Sequence, residues 1–98
     1  MLHMIVSTHN PESCAFRSEE DGKATGGALD RFEEIAPDHG VTVEGSWINR
    51  PGHEGFILVD APNVHVIDDA LVASGLVGRA HNRVVTVVKA ADIAFPGR

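Results

Sequence analysis

The sequence predicts an α+β fold, a four-stranded antiparallel sheet in the order 4-1-3-2 with two helices on one face. Three observations carry this expectation. Four apolar segments alternate or run continuously as strands do, two stretches show helical spacing, and they follow one another in the order βαββαβ. Two right-handed β-α-β crossovers interleaved in one sheet give that strand order and place both helices on the same side.

The first strand spans Leu2 to Thr8, with Leu2, Met4 and Val6 on one face and His3, Ile5 and Ser7 on the other. Asn10-Pro11 breaks it. Ser18 followed by Glu19, Glu20 and Asp21 reads as a helix N-cap with acids at the positive helix end, although Gly22, Gly26 and Gly27 weaken a helix there. The firmer helical pattern is Ala28, Leu29, Phe32, Ile35 and Ala36 on one stripe, with Asp30, Arg31, Glu33 and Glu34 facing outward. Pro37 and Gly40 stop it. Val41 to Asn49 forms the second strand, with Val41, Val43 and Trp47 expected on one face and Thr42, Glu44 and Ser46 on the other.

Arg50-Pro51-Gly52-His53-Glu54 is the turn, and the continuous apolar run Phe56 to Val59 reads as a strand buried on both sides. Pro62 or Asn63 opens the second helix, which offers Val64, Ile67, Ala70, Leu71 and Leu76 for packing and ends near Gly75. Val66 and Val72 fall off that stripe. Arg83 to Lys89 is the last strand, and Ala91 to Phe95 adds a short helical turn before Pro96.

Ninety-eight residues make one domain, 1–98, large enough for a single core. Eight basic against 14 acidic residues give a net charge of −6, so no phosphate-tracking surface and no nucleic-acid partner is implied. No run approaches the roughly 20 apolar residues of a membrane span, and the N-terminus lacks the basic start and cleavage region of a signal peptide. The expected location is the cytoplasm, with no membrane partner. The one cysteine, Cys14, cannot form a disulfide within the chain, which leaves a bridge between subunits open.

Three segments carry a family resemblance: His-Asn-Pro-Glu-Ser-Cys after the first strand, then His-Gly-Val-Thr-Val-Glu-Gly-Ser-Trp, then Pro-Gly-His-Glu-Gly-Phe-Ile-Leu-Val-Asp-Ala. Over nearly the whole chain the sequence resembles the dimeric α+β-barrel superfamily of small ferredoxin-like proteins, and within it small bacterial domains of unknown function. Relatives in that superfamily include cofactor-free monooxygenases, haem enzymes, non-haem iron enzymes and proteins without known chemistry, so the fold sets no activity. With both helices on one sheet face the other is bare. Strands one, three and four are apolar on both faces, and a second subunit covering that surface is favourable. The expected partner is a second copy, sheet against sheet, in a homodimer.

The same topology gathers a candidate site. The turn after strand one, the start of helix one, the hairpin between strands two and three and the start of strand four all meet at one end. They hold His9, Cys14, His53, Glu54 and His81, whereas His3, His39 and His65 fall at the opposite end. Neutral imidazole and thiolate donors suit zinc, copper or iron, so His9, Cys14, His53 and His81 are the expected ligands of a transition metal ion. Cys14, near the positive start of helix one, is also a candidate reactive thiol, and Glu54 a candidate base or additional ligand. Strand register decides which histidines face one another.

Each of these residues also has a plainer reading. A strand-end histidine bonded to backbone, a cysteine buried as a small apolar residue, and a His81 in a solvated Gly78-Arg79-Ala80-His81-Asn82 loop are ordinary features. Trp47 is a core or interface residue, or lines the space between two sheets and contacts a ligand. Arg17 and Arg50 lie toward the same end and can balance an anionic ligand, although solvated arginines are the commoner case. Gly-x-Ser-x-Gly, Cys-x-x-Cys and His-Glu-x-x-His are all missing, which disfavours the common hydrolase, dithiol and zinc-protease chemistries. Three functions fit: a small dimeric metal-binding protein or metalloenzyme, a cofactor-free monooxygenase-like enzyme or small-molecule binder needing a pocket of at least ~300 Å³, and a structural dimerisation module.

Overall fold

The computed structural model describes residues 1–97, and Arg98 lies outside them. Strands β1 (Leu2–Thr8), β2 (Thr42–Asn49), β3 (Glu54–Asp60) and β4 (His81–Val87) form one antiparallel sheet ordered β2-β3-β1-β4, the predicted order read from the other edge. Helices α1 (Glu19–Ile35) and α2 (Val64–Ser74) cross between the strands as expected. Ile5, Ile57 and Val59 from the sheet pack with Ala28, Phe32, Ile67 and Leu71 from the helices in the buried core. One sheet face therefore carries the core. The other, bearing Leu2, Met4, Val6, Phe56 and Leu58 on alternate positions, has no covering layer among the described residues.

Helix α1 is longer than its apolar stripe suggests, because it runs through all three glycines. Ser18 caps it, accepting from the Asp21 N–H at 3.0 Å, and Glu19, Glu20 and Asp21 sit at its positive end. Gly22 has a packing reason to be there: a Cβ would lie 3.1 Å from the Ala15 carbonyl oxygen, so the absent side chain lets the preceding loop lie against the helix. Helix α2 opens on Asn63, whose Oδ1 accepts from the Val66 N–H at 3.1 Å, and closes on Gly75 at φ 81°. Asn63→Ala is expected to lower stability by about 1 kcal/mol, the usual value of a lost N-cap, as a shift of the urea midpoint without a change of slope. Val64, expected to pack, is exposed instead.

Strand β2 departs from its predicted faces. Val43 pairs with Val59, but Gly45 pairs with Leu58, so Glu44 is an extra residue in a β-bulge. That single insertion reverses the alternation. Val41 and Val43 face the helices, whereas Trp47 pairs with Phe56 on the bare face, and Ser46 pairs with buried Ile57 on the helix side. Beyond β4, the helical turn expected over Ala91–Phe95 is a short 3-10 turn at Ala90–Asp92.

Candidate metal centre

The end of the sheet where β1 finishes is built from two short loops. The His9 N–H donates to the His53 carbonyl at 3.3 Å, which adds one rung to the β1–β3 ladder beyond Thr8 and Glu54. His53 closes the hairpin from β2, its N–H donating to the Arg50 carbonyl at 3.2 Å. Asn49 braces the same turn: its Oδ1 accepts from the Gly52 N–H at 3.3 Å and its Nδ2 donates to Glu54 Oε1 at 3.2 Å. At φ 54°, His53 is the one non-glycine among the described residues in the left-handed region. That conformation costs roughly 1–2 kcal/mol for a side chain with a Cβ, and such strain concentrates at functional sites.

Cys14 reaches the histidines from the other loop. Asn10-Pro11 starts a 3-10 turn over Pro11–Ser13, the Cys14 N–H donates to the Pro11 carbonyl at 3.3 Å, and the Arg17 N–H donates to the Cys14 carbonyl at 3.0 Å. The Arg17 guanidinium donates back to the Glu12 carbonyl. The chain thus folds over itself and buries Cys14 at 8% exposure.

One donor atom from each of His9, Cys14 and His53 lies within 4.8 Å of the other two. The imidazole rings meet edge to face at 85°, their centroids 5.2 Å apart. His9 Nε2 and His53 Nδ1 are both buried and have no hydrogen-bond partner. Leaving such a group unsatisfied costs roughly 1–3 kcal/mol, so two of them side by side next to a thiol is an arrangement that a bound cation relieves. A tetrahedral zinc with nitrogen ligands at about 2.05 Å and sulfur at about 2.3 Å separates its donors by about 3.3–3.6 Å. Burial, the neighbouring His53 and the Arg79 guanidinium all lower the His9 pKa below its ordinary 6.5. That shift favours the neutral ring, the form a metal ligand must take.

Arg79 is a site residue that its sequence context, a Gly-rich loop, does not reveal. Its Nε donates to Thr25 Oγ1 at 3.0 Å and its Nη2 to Asp21 Oδ1 at 3.2 Å, tying the loop before β4 to the first turns of α1. Hydrogen bonds from Ser18 and then from Arg79 lower the Asp21 pKa below its ordinary 3.8. A carboxylate with a depressed folded-state pKa stabilises the fold above its unfolded value, and that contribution disappears as pH falls through the folded one. Asp21→Asn is accordingly expected to reduce stability at neutral pH and to flatten the acid limb of a stability–pH profile below about pH 4, measured by urea denaturation at stepped pH.

The remaining predicted site residues are placed differently. His81 pairs with Thr8, and paired residues share a face, so its exposed side chain lies on the bare face while the buried strand residues face the helices. It is not brought to the other three. Glu54 also pairs with Thr8, and its Oε1 is engaged by Asn49 rather than by the cluster. Trp47 stands on the bare face at the edge strand, 56% exposed. Arg17 staples its own loop. His3 is buried in the body of the sheet, its Nδ1 2.9 Å from Thr86 Oγ1, and His39 and His65 also lie away from the cluster, as expected.

Two clefts flank the cluster. An inner one of about 100 Å³ between sheet and α1 is bordered by Ser7, His9, Thr25, Leu29 and Ile57. An outer, open depression of about 490 Å³ is lined by Cys14, Phe16, Arg50, Pro51 and His53. A family model described as "Domain of unknown function (DUF3303)" matches residues 1–94. The chain belongs to that family. Comparison with curated proteins gave no match. The DUF3303 match spans every strand and helix described above and all three residues of the cluster.

Proposed function

We propose that this DUF3303 protein binds one transition metal ion per chain through His9 Nε2, Cys14 Sγ and His53 Nδ1. The observation that carries this reading is the convergence of a thiol and two imidazoles within 4.8 Å, with a buried, unpartnered nitrogen on each ring. A two-nitrogen, one-sulfur set suits zinc or copper, and iron is also compatible with it. Three protein ligands leave a coordination position for an outside molecule, which is the pattern of catalytic rather than purely structural zinc sites. Elemental analysis of protein purified without a His tag tests the reading directly. Stoichiometric metal in wild-type protein and its loss in His9→Ala are expected; no metal as purified and no binding on titration would remove the idea.

The metal-free small-molecule reading fares less well in a single chain, because an inner cleft of about 100 Å³ falls short of the ~300 Å³ that ligand pockets need. The bare sheet face supports a homodimer as the working unit. Among the described residues, no helix is long and apolar enough to cross a membrane.

A further inference from the structure

The geometry points to a small organic carboxylate as the outside ligand of this centre, held in the outer depression with its charged end toward the metal and Arg50 and its apolar end against Phe16 and Pro51. The inference rests on the metal reading above and goes beyond it by naming what the open position takes.

Four observations lead there. Cys14 and His53, two of the three proposed ligands, line the outer depression, whereas His9 borders the inner cleft. The open side of the centre therefore has room outward, and about 490 Å³ falls within the ~300–1,000 Å³ of small-molecule sites. Arg50 lines the same depression, and its guanidinium carbon sits 4.1 Å from the Phe16 ring centroid, a cation–π contact that holds the charge in place. The ion pairs among the described residues are Met1–Asp60, Lys23–Glu19 and Arg79–Asp21, so no carboxylate of a described residue forms an ion pair with Arg50.

Charge then decides the class of ligand. A divalent ion with one thiolate and two neutral imidazoles keeps one positive charge, and Arg50 adds another, so an anion is favoured over a neutral molecule. The planar guanidinium matches a carboxylate through two parallel hydrogen bonds. Phe16 and Pro51 offer apolar surface that a fully oxygenated anion such as phosphate cannot use, whereas the hydrocarbon part of an organic acid can.

Cobalt(II)-loaded full-length protein titrated with benzoate, followed by the visible absorption of the metal, tests this. Saturable spectral change is expected, at least tenfold weaker in Arg50→Gln and unaltered in the surface control Lys23→Gln, with phosphate at least tenfold weaker than benzoate. Uptake of cobalt by wild type and Arg50→Gln alike shows that both are folded. If cobalt binds but benzoate leaves its spectrum unchanged, or if Arg50→Gln binds benzoate as well as wild type does, the carboxylate assignment falls while the metal site stands. Phosphate binding as tightly as benzoate overturns the organic acid in favour of a general anion site. Failure of cobalt to bind, together with failure of zinc, copper and iron, removes both readings.

Discussion

Cys14→Ser is expected to weaken zinc binding by more than ~100-fold, since loss of even an outer-shell partner of a metal ligand typically costs 10–100-fold. His9→Ala and His53→Ala are expected to do the same. Thermal unfolding with and without zinc reads the effect. At a free zinc concentration ~100 times its dissociation constant, binding to the folded state alone adds about 2.7 kcal/mol, which a 100-residue domain shows as a rise of roughly 11–22 °C in Tm. A variant weakened 100-fold retains about 0.4 kcal/mol of that gain under the same conditions. The metal-free proteins should behave differently. His53 holds a left-handed backbone at φ 54° and a buried nitrogen without a partner, both of which work against the empty fold. Asparagine tolerates that backbone well, so metal-free His53→Asn is expected to be at least as stable as metal-free wild type. A stability gain together with lost zinc response is the signature of a residue kept for its ligand. A His53 that served only packing would give the reverse pattern. Equal zinc-induced shifts in wild type and Cys14→Ser, or none in wild type with zinc, copper or iron, would sink the metal reading.

The cluster was legible in the sequence because chain topology alone decides which loops share an end of the sheet. Once β1 and β2 run one way and β3 and β4 the other, His9, Cys14 and His53 lie at that end and His3, His39 and His65 at the opposite one. Facing is a finer property. His81 shares that end, yet its rung opposite Thr8 turns it to the bare face; no composition or spacing signal specifies a register to one residue. Trp47 illustrates the same sensitivity, because the extra Glu44 in β2 reverses the alternation that period-two reading assumes. The glycines of α1 hid its first turns for a different reason. Intrinsic propensity counts against Gly22, Gly26 and Gly27, while the Ser18 cap and the close approach of Ala15 to Gly22 are local and tertiary terms that override it. The role of Arg79 has no local sequence signal, since its two partners on α1 are more than fifty residues away in the chain.

Leu58→Asp is expected to convert a homodimer into a folded monomer. Leu58 sits at the middle of the bare face, paired with Met4 on one side and Gly45 on the other, and Phe56, Val6 and Val85 lie around it on the same face. Fully burying one large apolar side chain contributes roughly 1.5–3 kcal/mol, and several half-buried ones in a contiguous sheet face supply a driving force for self-association that scattered surface residues do not. A two-fold interface uses the same patch from both copies. One substitution therefore places two carboxylates in it, and at roughly 3 kcal/mol for each uncompensated buried charge the pair costs about 6 kcal/mol, more than 10⁴-fold in the dissociation constant. The monomer has little reason to object, because in it the same aspartate faces water. Val72→Asp, at a 57% exposed position on the outer side of α2, should leave association unchanged and controls for added charge. Sedimentation equilibrium of wild type and both variants reads the outcome, and Trp47, exposed on the same face, adds a red shift of fluorescence on dissociation. Wild type that sediments as a monomer at 100-micromolar-scale concentration would contradict the dimer directly, and a Leu58→Asp dimer as tight as wild type would move the interface to another surface.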